Sequence, residues 1–309
     1  MDFKHISVLL EESVNTLNIK PDGIYVDCTA GGGGHSAAIL SRLGENGRMV
    51  LIDQDPDAIQ VLTERFKDDT RVTIVHNNFS NIDSILASQS ISGVDGIVAD
   101  LGVSSHQLDT AERGFSFHRD APLDMRMSQQ GKSAFDVVNT YSVNELSKVI
   151  SRYGEEKFAD RVANAIVKAR ESKKIETTME LAEIVSSAIP AKFRRNGHPA
   201  RKTFQAIRIE VNGELDVLKN TLPLMFQNLN DDGVMAIITF HSLEDRIVKD
   251  YFKTLREGCT CPKDFPVCVC GKKPKAVVKS AGVKASGKEL DENNRSRSAK
   301  LRTAVKIGE

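Results

Sequence analysis

The sequence lacks an apolar run long enough to cross a membrane, and it lacks the layout of a secretory signal peptide. Its longest apolar run, Val234 to Phe240, falls far short of the roughly 20 residues that a membrane-spanning helix needs. The first residues, 1–4, do not have the pattern of a signal peptide. We therefore expect a cytoplasmic protein with no membrane partner.

The sequence also lacks a net charge, because 42 basic residues balance 42 acidic ones. The charges are nevertheless segregated along the chain. Residues 192–202 include five basic residues and no acidic one, and residues 271–309 include eleven basic and four acidic residues. Both segments suit contacts with phosphates, but they equally suit a solvated surface or a loose tail, so charge alone does not identify a nucleic-acid partner.

Short apolar runs alternate with helical patterns over the first hundred residues, which is typical of βαβ units. The predicted strands are Ile24–Cys28, Arg48–Asp53, Val72–His76 and Gly96–Asp100, and the predicted helices between them are His35–Leu43 and Pro56–Phe66. This order predicts an α/β fold with a doubly wound, mostly parallel sheet. Its ligand is expected at the carboxyl ends of the strands.

A helical segment then interrupts the alternation. Ser142 and Thr177 each begin a capping box, and apolar residues between them recur on one helical face. A strand pattern returns at Val234–Phe240, so the sheet resumes after an all-helical insert. The predicted division is a discontinuous domain of residues 1–108 and 203–309 and an insert of residues 109–202.

Four consecutive glycines, 31–34, follow the first predicted strand and open directly into a helix. Glycine allows backbone to approach a ligand closely, so a binding turn is favoured over a purely structural one. Asp27, just before the turn, suits a ligand with positive charge rather than a dinucleotide with its negative pyrophosphate. Asp53, at the end of the second strand, is placed to accept two ribose hydroxyls. The alternative for Asp53 is a helix cap ahead of Pro56.

These residues resemble the S-adenosylmethionine-dependent methyltransferases of the Rossmann-like class. The resemblance implies S-adenosylmethionine, which has a positive sulfonium and a positive ammonium, as the cofactor. It implies cofactor contacts from Gly33, Gly34 and His35, and it places Phe79 against the adenine, with a buried core phenylalanine as the alternative. Thr29 departs from the pattern, because many members of the class have a glycine there.

Longer motifs resemble one family closely, the RsmH, formerly MraW, rRNA cytidine N4-methyltransferases. These motifs are His5 to Leu10, Asp100 to Asp109, Arg113 to Phe117 and Phe240 to Arg246, with further matches at 203–208 and 294–302. The resemblance implies methylation of the N4 amine of a cytidine in the decoding region of 16S rRNA, with the small ribosomal subunit as partner. It also implies that Asp100 and Gln107 lie against the S-adenosylmethionine, and that the insert recognises RNA.

The chemistry of a cytosine amine requires an acceptor, because the nitrogen lone pair is conjugated with the ring and the amine is a weak nucleophile. Asp100 is the predicted acceptor, and His241 is predicted to receive or relay the proton, with a capping or core histidine as the alternative. The chain lacks a Pro-Cys nucleophile, which argues against thiolate attack on ring carbon five. It also lacks the Pro-Pro-aromatic run of related enzymes, so Phe115 and Phe117 are the candidates for stacking on the base.

Five cysteines are present, and Cys28 is expected in the core. The other four, Cys259, Cys261, Cys268 and Cys270, suit either a structural zinc site or ordinary thiols, and we assign no metal to the catalytic site. A non-catalytic RNA-binding assembly factor and a nicotinamide dehydrogenase are the rival functions. The intact glycine turn with Asp53 and Asp100 argues against the first rival, and the glycine spacing argues against the second. A homodimer is left open.

Overall fold

The computed structural model describes residues 7–194, 197–259, 261–262, 265–267, 269–279 and 281–308. The strands within these residues are β1 (Ile24–Asp27), β2 (Arg48–Asp53), β3 (Val72–His76), β4 (Val94–Asp100), β5 (Leu229–Thr239), β6 (Ala276–Val278) and β7 (Lys300–Lys306). They form one sheet in the order β3-β2-β1-β4-β5-β7-β6. The strands β1 to β5 pair in parallel, and β7 pairs antiparallel with both β5 and β6. The predicted doubly wound, mostly parallel sheet is confirmed.

Helices flank the sheet and also form the interruption between β4 and β5. They are α1 (Leu10–Thr16), α2 (Gly34–Leu40), α3 (Pro56–Arg65), α4 (Ile82–Ser88), α5 (Ser105–Asp109), α6 (Ala134–Thr140), α7 (Val143–Gly154), α8 (Ala159–Arg170), α9 (Thr178–Ala188), α10 (Arg201–Asn212), α11 (Glu214–Gln227), α12 (Ser242–Arg256) and α13 (Gly287–Glu292). Ser142 and Thr177 cap α7 and α9 in full capping boxes, as predicted.

Alternate strand residues point to opposite faces of the sheet, and helices cover both faces. Val26 of β1 and Ile97 of β4 belong to a core that α4, α11 and α12 complete. Tyr25 and Val98, the neighbouring residues on the same two strands, belong to a second core with α1, α2 and α3. This two-sided burial explains why the central strands are continuous apolar runs in the sequence.

The chain divides into two units. The sheet unit consists of Met1–Gly102 and Leu215–Glu309, and the helical unit is Val103–Glu214. The helical unit therefore extends beyond the predicted insert of residues 109–202 at both ends. The predicted boundaries would cut through α5 and α10, and α10 contributes Phe204 and Ile207 to the core of the helical unit. That core joins α6 to α10, which confirms an all-helical insert.

Candidate cofactor and catalytic site

Three aspartates end three neighbouring strands of the sheet unit. Asp27 is the last residue of β1, Asp53 of β2 and Asp100 of β4. The three strands are adjacent and parallel, so their carboxyl ends lie along one edge of the sheet. The structure thus brings these predicted site residues to the edge where a ligand was expected.

The turn from β1 to α2 is held by backbone hydrogen bonds to both neighbouring strands. The N–H of Cys28 donates to the carbonyl of Val98 at 2.9 Å, and the N–H of Ala30 donates to the carbonyl of Ile52 at 3.1 Å. Gly31 and Gly33 have φ values of 51° and 75°, in the left-handed region that glycine adopts readily. The path of the turn is consequently defined by the sheet itself.

The four glycines have two different roles. A Cβ at Gly33 would lie 2.7 Å from the ring of Phe66, and a Cβ at Gly34 would lie 1.9 Å from the hydroxyl of Ser7. At Gly32 a Cβ would meet nothing within 4 Å, and at Gly31 only a carbonyl oxygen at 3.8 Å. Gly33 and Gly34 therefore permit packing inside the protein, while Gly31 and Gly32 border open space.

The predicted cofactor contacts of Gly33, Gly34 and His35 are accordingly restricted. Protein side chains fill the space beside the Cα atoms of the two glycines, so a ligand could reach only their N–H and C=O groups. The imidazole of His35 is buried, and its Nε2 lies 3.1 Å from the carbonyl of Val8, to which it donates. Gly31 and Gly32 were not singled out from the sequence, and four identical residues in a row gave no signal to separate them.

Asp53 connects the end of β2 to the glycine turn. Its Oδ2 accepts from the N–H of Gly31 at 2.8 Å, and its Oδ1 accepts from the N–H of Asp55 at 2.8 Å. Burial raises the pKa of Asp53 to about 6. Asp55, and not Asp53, caps α3 by accepting from the N–H of Asp57. Asp55 therefore has the capping role that was the alternative for Asp53. Each oxygen of Asp53 accepts one hydrogen bond and keeps a lone pair for a ligand hydroxyl.

Asp27 is almost wholly buried and holds the turn against the helix that follows. Its carboxylate accepts from the hydroxyl of Ser36 at 2.7 Å and from the N–H of Thr29 at 3.2 Å. Burial raises its pKa to about 6. A buried carboxylate of this kind favours any ligand that brings positive charge nearby.

Phe79 lies just after β3, in a short 3-10 turn that spans Phe79–Asn81. Its side chain is partly buried against the core that α4, α11 and α12 complete. The segment is tied to the end of β2, because the N–H of Asn77 donates to the carbonyl of Asp53 at 2.9 Å. The contact with adenine stays a prediction, since a partly buried phenylalanine suits both alternatives.

Asp100 carries an unusual buried acceptor. Its Oδ1 is buried and has no hydrogen-bond partner among the described residues. Burial, followed by the charges of Asp27 and Glu244, raises the pKa of Asp100 well above its usual range. An unsatisfied buried acceptor costs about 1–3 kcal/mol, so this oxygen points to a ligand donor that completes the site.

His241 is the N-cap of α12, which was the alternative to its catalytic role. Its Nδ1 accepts from the N–H of Glu244 at 3.4 Å, and its Nε2 lies 3.1 Å from Oε1 of Glu244 without the angle of a hydrogen bond. A neutral ring whose Nδ1 accepts must carry its proton on Nε2. The ring is therefore a donor at Nε2 while the cap is formed, and the catalytic role of His241 stays a prediction.

The remaining predicted site residues lie in the helical unit. Gln107 is buried in α5, where its Oε1 accepts from the N–H of Ser104 at 3.0 Å and completes a capping box. Phe115 is buried in the core of this unit, whereas Phe117 is only partly buried and its ring stacks on His198 with centroids 4.4 Å apart. The contact of Gln107 with S-adenosylmethionine and the stacking of either phenylalanine on a base stay predictions.

The basic segment of residues 192–202 is partly used by the fold. Arg194 donates to the carbonyl of Ile189 at 2.8 Å, and Lys202 donates to the carbonyl of Glu155 at 2.9 Å. Lys192 and Arg201 are exposed. Arg195 lies outside the described residues, as do His5 and Ile6 at the start of the first family motif.

The basic C-terminal segment is also partly structural. Lys300 and Arg302, both on β7, donate to the carboxylate of Asp245 in α12 at 2.9 and 2.6 Å. These contacts hold the pKa of Asp245 below its usual value against the opposing effect of burial. Of the alternatives left open for this segment, the loose tail is excluded for residues 300–306, which form the strand β7 between β5 and β6.

The family model and the curated relatives match this protein over nearly all of its length. Residues 2–307 match the MraW methylase family. Ribosomal RNA small subunit methyltransferase H of Clostridium botulinum (strain Kyoto / Type A2) is 57% identical over 99% of this chain and 100% of that protein. The protein of the same name from Lachnospira eligens is 56% identical over 99% of each. In the solved structures, an rRNA methylase from Streptococcus thermophilus aligns over 98% of this chain and 99% of that chain, with 10% identity and a TM-score of 0.45.

None of the helices in the described part of the chain is long and apolar enough to cross a membrane. The comparisons give no support for a homodimer, and that state, like the cytoplasmic location, stays a prediction.

Proposed function

The chain belongs to the MraW methylase family and is an S-adenosylmethionine-dependent methyltransferase, and we propose that its acceptor is the N4 amine of a cytidine in the decoding region of 16S rRNA. The names of the relatives, ribosomal RNA small subunit methyltransferases, support an rRNA substrate. The motifs around Asp100 and His241 support the amine as the acceptor through the family resemblance. The small ribosomal subunit is the proposed partner.

The sheet edge fits the cofactor. S-adenosylmethionine supplies a methyl group on a positively charged sulfur, and this edge concentrates the carboxylates of Asp27, Asp53 and Asp100. Asp53 would hold the ribose hydroxyls with its remaining lone pairs, and Gly31 and Gly32 leave room for a ligand beside the backbone. The raised pKa values of the carboxylates fall when a cation binds beside them, so binding of this cofactor relieves the cost of keeping them ionised.

The proposal for catalysis is based on Oδ1 of Asp100, which is buried and has no hydrogen-bond partner among the described residues. Oδ1 of the ionised Asp100 would accept an N–H of the cytosine amine and orient the nitrogen lone pair for attack. As the N–C bond forms, the bond between the methyl group and the sulfonium would break and S-adenosylhomocysteine, with a neutral sulfur, would leave. The nitrogen would then be acidic, and the same oxygen would take its proton. A carboxylate with a raised pKa is a stronger base than an exposed one, which suits this step.

The helical unit, Val103–Glu214, is proposed to recognise the RNA. Its exposed cations Lys192 and Arg201 are available to phosphates, since neither is among the side chains that the segment uses to fix its own backbone. Phosphate contacts of this kind position a substrate without reading its sequence. The choice of nucleotide would then depend on contacts with the base itself and on the shape of the ribosomal subunit.

The decisive experiment compares small-subunit rRNA from cells with and without the protein. Nuclease digestion and mass spectrometry should show one N4-methylated cytidine that disappears in the deletion strain and returns with the native gene. The Asp100→Ala gene should not restore it. An unchanged methylation pattern would support the non-catalytic assembly factor, and a methyl group on ring carbon five or on a ribose oxygen would refute the amine as the acceptor.

A further inference from the structure

Three cysteine sulfurs converge in the segment that follows α12. The Sγ atoms of Cys259, Cys261 and Cys270 all lie within 4.8 Å of one another. Cys259 and Cys270 are 3.7 Å apart, which is far longer than the roughly 2.05 Å of a disulfide. Two thiolates on a tetrahedral zinc ion, each at about 2.3 Å from the metal, lie about 3.8 Å from one another. The observed separation matches the one expected for two sulfurs on one ion.

The backbone around these sulfurs suits cysteines that bind a metal ion. The N–H of Cys261 donates to the sulfur of Cys259 at 3.4 Å, and such a bond stabilises negative charge on a metal-bound sulfur. Gly271, directly after Cys270, has a φ of 62°, which lets the chain turn sharply past a ligand residue.

The base of the segment is closed by the fold. The N–H of Lys275 donates to the carbonyl of Leu255 at 2.7 Å, which joins the end of α12 to the residues before β6. Gly258 packs against Pro274, where a Cβ would lie 2.6 Å from the proline ring. The two ends of the segment that contains Cys259, Cys261 and Cys270 are thus already held together.

Apolar burial does not account for the convergence of the sulfurs. Phe265, Val267 and Val269 are 52%, 70% and 73% exposed, although they are the large apolar residues described in this segment. A stretch of chain that buries so little apolar surface requires another source of order, and in small motifs a structural metal commonly supplies it. Thiolates select zinc among the available divalent ions that prefer tetrahedral geometry.

We propose that Cys259, Cys261 and Cys270 bind one structural zinc ion that orders the segment between α12 and β6. The ion completes the segment in place of a hydrophobic core, at a location separate in the sequence from the residues assigned to the cofactor and to catalysis. Cys268, the fourth cysteine considered as a ligand from the sequence, lies outside the described residues.

The first test is the metal content of the full chain. Native protein expressed in medium with zinc and dialysed exhaustively against metal-free buffer should retain one zinc ion per chain by elemental analysis. The variant with Cys259→Ser, Cys261→Ser and Cys270→Ser should retain almost none, and Cys28→Ala, which removes the buried cysteine directly after β1, should retain one. A ratio near zero in the native protein, or one ion in the triple variant, would overturn the proposal.

The second test needs no variant, so it does not depend on how well the triple variant folds. Titration of Co²⁺ into reduced, metal-free native protein should produce thiolate-to-cobalt charge-transfer absorption that saturates at one equivalent, and Zn²⁺ should displace it. Trypsin cleavage after Lys272 should be slower with zinc than after removal of the metal. Absence of the charge-transfer band, or a cleavage rate that zinc does not change, would identify these residues as ordinary thiols.

Discussion

The backbone N–H of Asp100 donates to the side-chain hydroxyl of Thr29 at 2.6 Å. This bond joins the end of β4 to the turn after β1, and it gives a role to the residue at which the chain departs from the common glycine. It also fixes the backbone of Asp100 without using its carboxylate. The side chain therefore remains available to a substrate, with Oδ1 unpaired among the described residues.

The first prediction is that Asp100→Asn lowers kcat by roughly 100-fold to 10,000-fold, the usual range for loss of a general base. Asparagine keeps the size of the side chain and the bond from the backbone to Thr29, but it cannot accept a proton. Single-turnover methylation of the small subunit measures the effect. Asp95→Asn, at the opposite end of the same strand, is the control and should turn over at the native rate. Native kcat in Asp100→Asn would exclude Asp100 as the base.

The second prediction is that Asp53→Ala weakens binding of S-adenosylmethionine by at least about 10-fold. The variant loses hydrogen bonds from a charged acceptor to the ribose, each contributing roughly 1.5–3 kcal/mol at most. Isothermal titration calorimetry gives the affinity. Asp55→Asn is the matched control, because asparagine also caps helices well and α3 should be unaffected. Equal affinities in the Asp53→Ala variant and the native protein would contradict the ribose assignment.

The third prediction concerns pH. The pKa values of Asp27 and Asp53 are raised to about 6, so both carboxylates bind protons in the ligand-free protein at a pH where the unfolded chain has released them. The free energy of unfolding of the ligand-free protein should therefore fall as the pH rises through about 4 to 6, because these two buried groups must ionise in the folded state. A cationic ligand favours the ionised forms, so affinity for S-adenosylmethionine should rise from pH 5 to pH 7 with release of protons.

Calorimetry in two buffers of different ionisation enthalpy measures that proton release. S-adenosylhomocysteine, whose sulfur is neutral, is the control ligand and should show a weaker dependence on pH. Tighter binding of S-adenosylmethionine at pH 5 than at pH 7 would be incompatible with carboxylates that act on its charge.

The fourth prediction separates the two roles considered for His241. His241→Ala removes the N-cap of α12 and should lower the free energy of unfolding by about 0.5–2 kcal/mol and also lower turnover. His241→Asn restores a capping side chain, so it should recover the stability but keep the slow turnover, because asparagine cannot relay a proton. Thermal unfolding and initial rates provide the comparison. A His241→Asn variant with native stability and native turnover would contradict the proton relay and leave the cap as the role of this residue.

The fifth prediction tests RNA docking by the helical unit. Lys192→Glu combined with Arg201→Glu should raise the KM for the small subunit and reduce the slope of binding against salt by about one unit per lost phosphate contact. Affinity for S-adenosylmethionine should not change. Arg201 begins α10, where glutamate is favourable to a helix, so the fold should tolerate the change.

Lys168→Glu, an exposed charge reversal on α8 of the same unit, is the control for docking and should keep the native KM. Arg194 is unsuitable for this test because its guanidinium holds the carbonyl of Ile189, so its loss would change local structure as well as charge. A native KM and native salt slope in the double variant would identify the segment as a solvated surface.

The parallel strands could be predicted because each is an apolar run bounded by turn residues, and the bounds of β2 and β3 agree with the structure. The strand β7 was missed for a physical reason. Its cations Lys300 and Arg302 read as part of a solvated tail, but in the fold they are neutralised by Asp245, and Leu301 and Ala304 enter the core. Such pairing between distant parts of the chain has no local signal.

The carboxylates of the site could likewise be predicted, because the residue that ends a parallel strand faces the ligand edge. The two different roles of the glycines in the turn could not be predicted, because they depend on how closely Ser7 and Phe66 approach the backbone. The unpaired oxygen of Asp100 was equally inaccessible to sequence reasoning. It depends on which groups surround the carboxylate in the folded chain, and the sequence does not show them.

The position of β7 also determines the order in which the newly made chain can fold. The helical unit is contiguous in sequence, so all of its core residues have been synthesised before β5 begins. The sheet unit must wait, because β4 pairs with β5 only after the whole insert, and β5 pairs with β7 only after residues 300–306 have been added. During translation the edge of β4 therefore stays open until β5 is made, and the edge of β5 stays open until β7 is made. Exposed strand edges of this kind favour aggregation, so the growing chain is vulnerable in the interval between synthesis of the helical unit and synthesis of β7.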